Sequence, residues 1–289
     1  MADNKPEPGD RKPSYVSPVI IGLLVIALGA VVFFREPAPQ PPPATQTAKP
    51  VAPQPAPVPA PKPVAAPPPL QRQDLIFEAM RAAADFSATG NVPSTAALVG
   101  RRFAFSIPFG CRGAQAGVPG AQVSASYDAA KQSITLTARP GTWTTLPQIQ
   151  GLADPAAIDA VEGFWIPRAW SNSESCAPQM TYSEPVTPTP PTAQSIGLAQ
   201  LFPAGGSRLS RHAERPYQFT RKVPAGDTAM LAMSYRLTLE GRITGFDKDT
   251  ALRCAMETPD HQPVCLFAVT FERVTFRDAN DQQIATWTD

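Results

Sequence analysis

Almost half of the positions from 37 to 69 are prolines, and this density constrains the chain more than any other feature of its sequence. Proline fixes φ at roughly −65° and lacks a backbone N–H, so the tract favours polyproline II over a helix or a central strand. At about 3.1 Å per residue it would reach on the order of 100 Å. We interpret residues 35–69 as a proline-rich linker that acts as a spacer. The alternatives are a ligand for a proline-recognising groove and a tether without a partner.

An apolar run at residues 16–34 precedes the linker and has no charged side chain. Roughly 20 apolar residues in a helix cross a hydrocarbon core about 30 Å thick, so this run is long enough to span a membrane. Three basic residues precede the run and only Arg35 follows it closely. The positive-inside bias then places a tail at residues 1–15 in the cytoplasm. We expect a single-pass protein of the bacterial inner membrane with a periplasmic C-terminal domain.

A cleavable signal peptide is the alternative, since Ala27 and Gly29 are small residues at the positions read before a cleavage at Ala30. Cleavage would leave four large apolar residues near the new N-terminus, which favours the uncleaved anchor. The order of anchor and proline tract is similar to that of TonB-type energy transducers and of bitopic secretion or cell-division components. This resemblance covers residues 1–69 and implies an envelope protein. The residues after Leu70 match none of the C-terminal domains of those families.

Residues 70–289 contain 19 Lys and Arg against 20 Asp and Glu, a net charge of −1. Such a balance produces no overall field that would attract nucleic acid, so we expect no nucleic-acid partner. The length suffices for one extracytoplasmic domain. Four prolines and three threonines at residues 185–192 would divide it into two lobes, about 101–184 and 194–289, if that stretch is a linker.

All four cysteines follow the apolar run, and an even number in an oxidising compartment predicts two disulfides. Cys254 and Cys265 flank a stretch rich in turn-forming residues, so they are expected to face each other across a hairpin. Cys111 then pairs with Cys176. The alternative is a zinc site that includes His261, but no CxxC pair supports it. We predict no metal and no cofactor.

Alternating apolar residues predict strands at residues 231–240, 103–109 and 265–276, with a bulge near Glu272 or Arg273 in the last of them. Residues 123–127 and 134–138 predict a hairpin. The expected fold class is a single transmembrane helix plus a β-rich (α+β or β-sandwich) extracytoplasmic domain.

Two helices are predicted in this domain. The first covers residues 71–86 and presents Ile76, Ala79, Met80 and Ala83 on one face. The second begins with Asp154 as N-cap and Pro155 in the first turn, and it ends near Gly163.

No nucleophile elbow, phosphate-binding loop, dinucleotide fingerprint or metalloprotease motif occurs, so we predict that the protein is not an enzyme. Two stretches could bind a ligand or a partner. A basic stretch suits carboxylate or phosphate groups, or a partner protein, and contains Arg208, Arg211, Arg215, Arg221 and Lys222. Trp165 and Trp170 could stack on sugar rings or anchor a protein interface. The basic stretch could equally be a polar surface loop, and the two tryptophans could equally be core residues.

These features together predict a non-catalytic, membrane-anchored periplasmic adaptor or scaffold of the bacterial cell envelope. Its expected partners are the inner membrane and another envelope protein. The alternative function is a periplasmic module that binds cell-wall glycan or anionic lipid.

Overall fold

A computed structural model describes residues 66–114, 121–178 and 194–288. The predicted tail at residues 1–15, the membrane-spanning helix at 16–34, most of the linker and the proline-threonine stretch at 185–192 lie outside these ranges. Among the described residues, no helix is both long enough and apolar enough to cross a membrane. The spanning helix therefore stays a prediction from the sequence.

Strands dominate the described residues, and three α-helices and two 3₁₀ turns accompany them. The helices are α1 (Arg72–Thr89), α2 (Pro147–Gln150) and α3 (Thr228–Ala232), and the 3₁₀ turns are Ala96–Leu98 and Pro155–Ala157. The strands are β1 (Arg102–Phe109), β2 (Val123–Asp128), β3 (Ser133–Ala138), β4 (Gly141–Thr142), β5 (Ile158–Trp165), β6 (Ile196–Pro203), β7 (Tyr217–Lys222), β8 (Tyr235–Ile243), β9 (Leu252–Ala255), β10 (Val264–Asp278) and β11 (Gln283–Thr288).

The strands form two sheets. The large sheet has the order β1-β8-β10-β6-β5-β4, with β9 and β11 also paired to β10, and the small sheet has the order β2-β3-β7. β10 pairs antiparallel with β8 and parallel with β6, so it joins the two sides of the large sheet. Both sheets contribute to one hydrophobic core, in which Ile134 and Leu136 of β3 join Phe276 of β10. The predicted β-rich domain is confirmed.

Several predicted strands are confirmed with their details. β1 follows the alternating phenylalanines, and β2 pairs with β3 as the expected hairpin. The register of β8 against β10 shifts between Phe271 and Arg273, where the sequence predicts a bulge. β8 begins later than predicted, since Leu231 and Ala232 belong to the short helix α3. The side chain of Asp227 accepts a hydrogen bond from the N–H of Met230 and begins that helix.

The second predicted helix is wrong. Asp154 does cap a turn, because its side chain accepts a hydrogen bond from the N–H of Ala157, but only the 3₁₀ turn at Pro155–Ala157 follows. The chain then enters β5 at Ile158 and pairs with β6. This pairing provides backbone partners along the strand, so the tertiary context overrides the local helix signal.

Helix α1 begins at a capping box in which Gln71 and Asp74 exchange hydrogen bonds, and it ends at Gly90 in the left-handed conformation. Its buried side chains are Arg72, Leu75, Ile76, Ala79 and Ala82. The predicted face is therefore only partly right, because Met80 is 54% exposed. The buried face is centred on Leu75, Ala79 and Ala82 instead.

Both predicted disulfides are confirmed. Cys111 is bonded to Cys176, and Cys254 is bonded to Cys265 directly across the β9–β10 pair. Zinc ligation by these cysteines is therefore wrong. His261 has a different partner, since its Nδ1 lies 3.0 Å from the hydroxyl of Thr258.

Candidate functional site

The predicted basic residues lie in two places rather than one. Arg208, Arg211 and Arg215 belong to the loop that connects β6 to β7, here named the arginine loop (residues 204–216). Arg221 and Lys222 lie at the far end of β7, about 13 Å or more from its first residue at about 3.3 Å per residue. There the Nζ of Lys222 donates a hydrogen bond to the carbonyl of Lys131 at 2.6 Å. The structure thus brings three of the five cations together.

A buried carboxylate holds the arginine loop against the large sheet. Glu162 of β5 is 6% exposed. Its Oε2 accepts hydrogen bonds from the N–H groups of His212 at 2.6 Å and Ala213 at 3.0 Å. The His212 ring also stacks on Tyr217, with 3.8 Å between the centroids. Glu162 therefore positions the loop, a role that the sequence analysis missed.

An ion pair closes one side of the loop. Arg211 bonds to the carboxylate of Asp159, and its guanidinium lies 5.4 Å from the centre of the Phe202 ring. The hydrogen bond from Arg211 and then its positive charge lower the pKa of the Asp159 carboxyl. Arg208 lies farther from the same carboxylate, at 3.9 Å. Asp159 therefore neutralises the charge of Arg211 and compensates the charge of Arg208 less.

A cleft of about 420 Å³ lies beneath the arginine loop. Its lining includes three arginines, three acidic residues and two threonines. They are Arg208, Arg211 and Arg215, Asp159, Glu162 and Glu214, and Thr142 and Thr144. Asp159 is paired and Glu162 is occupied by backbone N–H groups, so Arg208, Arg215 and the hydroxyls are the donors that remain for a ligand. The Nη2 of Arg215 also donates to the carbonyls of Arg208 and Leu209, at 2.9 and 3.1 Å.

The two predicted tryptophans have different environments. Trp165 is partly buried and packs on Trp143, with ring centroids 4.3 Å apart. Gly163 and Gly197 make room for the Trp143 ring, because a Cβ on either would lie within 3.0 Å of it. Trp165 therefore belongs to the packing of the large sheet. Trp170, in contrast, is 66% exposed.

A buried arginine fixes the turn at residues 167–170, here named the tryptophan turn because it carries Trp170. Arg72 of α1 is 2% exposed, and it donates hydrogen bonds to the carbonyls of Pro167, Arg168 and Ser171, the last at 2.9 Å. Burial lowers the pKa of this guanidinium, and the negative charge of Glu174 partly offsets the effect. Because its acceptors lie on both sides of Trp170, Arg72 joins the tryptophan turn to the first turn of the helix.

The same helix exposes two large apolar side chains. Phe77 is 66% exposed and Met80 is 54% exposed, and their spacing along the helix puts them on one face. We name Trp170, Phe77 and Met80 the apolar surface. Phe77 and Met80 lie on α1, and Trp170 lies on the turn that Arg72 of the same helix binds. The sequence analysis identified only Trp170 among them.

No group of three His, Cys, Asp or Glu side chains that could hold a metal ion occurs among the described residues. All four cysteines are in disulfides. The arrangement of the arginine cleft is suited to binding polar or charged groups, and that of the apolar surface is suited to docking.

No protein-family model matches the chain, and neither a curated protein nor a solved structure shows significant similarity to it.

Proposed function

We propose that the protein is a membrane-anchored, non-catalytic adaptor of the bacterial cell envelope, and that the described domain docks a partner protein on the apolar surface. The observation that carries this proposal is the exposure of Trp170 in a turn that Arg72 fixes to α1. A large aromatic side chain exposed on an anchored turn is typical of an interface anchor.

The point where the linker meets the domain supports the proposal. Leu70 follows the last proline of the linker and pairs with the edge strand β1. Its N–H donates to the carbonyl of Arg102 at 2.8 Å, and its carbonyl accepts a hydrogen bond from the N–H of Ala104 at 2.9 Å. Helix α1 begins two residues later. The end of the linker therefore leads directly into the helix, and the helix holds the tryptophan turn. An adaptor needs such a connection if its tether is to position its docking surface.

Charges on α1 favour a protein over an anionic lipid surface. The helix presents the carboxylates of Asp74, Glu78 and Asp85 against one exposed guanidinium, that of Arg81. Arg81 is moreover paired with Glu78 at 2.7 Å. Anionic headgroups would be repelled by this face. The partner that fits has an apolar pocket for Trp170 and basic residues opposite the carboxylates of α1.

We expect cross-linking to be specific to the apolar surface. A photo-crosslinking amino acid is placed at Trp170, Phe77 or Leu209 of the membrane-bound full-length chain. Leu209 is the matched control, since it is 79% exposed but lies on the arginine loop. Positions 170 and 77 should cross-link to the same envelope protein, identified by mass spectrometry, and position 209 should not. Equal yields at all three positions, or none at 170 and 77, would contradict the proposal.

Once the partner is known, Trp170→Ser combined with Phe77→Ser should weaken its binding by more than about 30-fold, since the loss of a single anchor worth about 2 kcal/mol already corresponds to that factor. Leu209→Ser should leave the affinity unchanged. Titration of the two variants in detergent against the purified partner measures the difference.

A second candidate function is binding of an anionic cell-wall or lipid group in the arginine cleft. The observation that favours it is the placement of Arg208 and Arg215, the two guanidinium groups that Asp159 does not pair closely, in the lining of a cleft of about 420 Å³. Carboxylates of peptidoglycan stem peptides and lipid phosphates share the chemistry that guanidinium groups recognise.

The two clusters of cations provide a matched test of this binding. Arg208→Gln with Arg215→Gln should reduce cosedimentation with purified sacculi, or with vesicles of anionic phospholipid, about tenfold or more. Arg221→Gln with Lys222→Gln removes the same charge from the end of β7 and should have little effect. Equal losses in the two double variants would show a general charge effect and would refute a site in the cleft.

A further inference from the structure

The two disulfides differ in their access to solvent. Cys265 is 1% exposed and Cys254 is 9% exposed. They lie on the paired strands β10 and β9, and both belong to the hydrophobic core. Cys111 is exposed and Cys176 is partly exposed, and they join the chain after β1 to the segment that follows the tryptophan turn. A thiol in solution can therefore approach one disulfide without any opening of the core.

A cleft leads to the accessible disulfide. It has a volume of about 350 Å³, and Cys111, Arg112 and Arg168 line it together with Pro108, Pro167 and Ala177. Cys111 belongs to the lining, whereas Cys176 does not, so the cleft leads to the Cys111 side of the disulfide. Apart from Cys111 and the two arginines, the lining consists of proline and alanine residues.

Arg168 binds the backbone next to Cys176. Its Nη2 donates a hydrogen bond to the carbonyl of Ser175 at 2.5 Å, so the guanidinium lies beside the residue that precedes Cys176. A neighbouring guanidinium favours the thiolate over the thiol, and a more stable thiolate leaves faster in disulfide exchange. Among the described residues, the lining of this cleft contains two arginines and no carboxylate.

We propose that Cys111–Cys176 is a site of thiol–disulfide exchange with a dithiol protein of the CxxC type. The partner's thiolate attacks the Sγ of Cys111, the bond to Cys176 breaks, and Cys176 leaves as a thiolate that takes up a proton. The partner's second thiol then attacks the mixed disulfide and releases Cys111. Two electrons and two protons pass to this chain, and the partner dithiol becomes a disulfide.

Reduction would remove the covalent attachment of one segment, whose Ser175 carbonyl still accepts a hydrogen bond from Arg168, and would leave its neighbour in place. Residues 172–178 lose their covalent attachment to the end of β1. The tryptophan turn stays attached to α1, because Arg72 still binds the carbonyls of Pro167, Arg168 and Ser171. The exchange therefore acts on the chain that follows Ser171, and this inference does not depend on the proposed adaptor function.

The test compares the two disulfides within one molecule. Full-length protein in detergent is incubated under native conditions with a reduced CxxC oxidoreductase, or with glutathione at an equal thiol concentration. Acid quenching, alkylation and peptide mapping then measure the reduction of each cysteine pair. Cys111–Cys176 should react roughly tenfold faster or more than Cys254–Cys265, whose reduction requires local unfolding. Equal rates for the two pairs would overturn the proposal.

Comparison of the two reductants tests whether the thiol comes from a protein. Comparison of two variants tests the role of Arg168 in the cleft. Faster reaction with the dithiol protein than with glutathione supports a protein partner, and equal reaction refutes that part of the proposal. Arg168→Gln should slow reduction of Cys111–Cys176 severalfold, whereas the distant Arg221→Gln should not. Equal rates in these two variants would exclude the assistance by Arg168.

The attacked sulfur can be identified directly. An oxidoreductase that lacks its second cysteine should be trapped as a mixed disulfide on Cys111. A mixed disulfide found mainly on Cys176 would overturn the assignment of the attacked sulfur.

Discussion

Arg72→Met should reduce the free energy of unfolding of the domain by about 3 kcal/mol or more, because it leaves the carbonyls of Pro167, Arg168 and Ser171 without their donor. The substitution keeps an unbranched side chain of similar length. A buried polar group that loses its partner costs about 1–3 kcal/mol, and here several carbonyls lose one together. Urea unfolding of the full-length protein in detergent, followed by tryptophan fluorescence, measures the change.

The control for this substitution lies on the same helix. Arg81→Met removes an exposed guanidinium paired with Glu78, so it should cost less than about 1 kcal/mol. Equal destabilisation by the two substitutions would contradict the anchoring role of Arg72. Loss of the cross-link from position 170 in Arg72→Met, while the domain remains folded, would connect this residue to the orientation of the tryptophan turn.

Gly163→Ala should be nearly as damaging, although it adds a single methyl group. The new Cβ would lie 2.2 Å from a carbon of the Trp143 ring and 2.3 Å from the carbonyl oxygen of Leu198. That carbonyl belongs to β6, the strand paired with β5, so it cannot withdraw without loss of pairing. We expect destabilisation of about 3 kcal/mol. A lower thermal unfolding temperature and a weaker near-ultraviolet circular dichroism signal from Trp143 and Trp165 would record it.

A second glycine provides the comparison. Gly151 has φ −82°, where alanine is allowed, and a Cβ there would lie no closer than 3.2 Å to its nearest neighbour. Gly151→Ala should therefore change the stability by less than about 1 kcal/mol. If both alanine variants unfold at the same temperature, close packing of Trp143 on Gly163 does not limit the stability of the sheet.

Local patterns in the sequence predict the half-buried strands well. Alternation indicates β1, the β2–β3 hairpin and the bulge in β10, because each of these has one face in the core and the side-chain period is two. The disulfides follow from the turn between Cys254 and Cys265. In each case the deciding residues lie close together in the chain.

The failures concern contacts between distant residues. Asp154 and Pro155 do begin a helical turn, but the next segment becomes a strand because it pairs with β6, which follows much later in the chain. Glu162 gives no signal in the sequence, since its partners are the backbone N–H groups of residues 50 and 51 positions away. Local sequence does not distinguish Trp165 from Trp170, because the difference depends on Trp143, which packs against the first of them.

The position of β10 in the chain has a consequence for biosynthesis. This strand provides partners for β6, β8, β9 and β11, yet it comes after all of the other described strands except β11. Until the ribosome has completed Val264–Asp278, the β1–β8 pair and the β4–β5–β6 group have no strand to connect them. The large sheet must therefore assemble late. A nascent chain halted before Val264 would expose two unconnected parts of this sheet to chaperones and proteases.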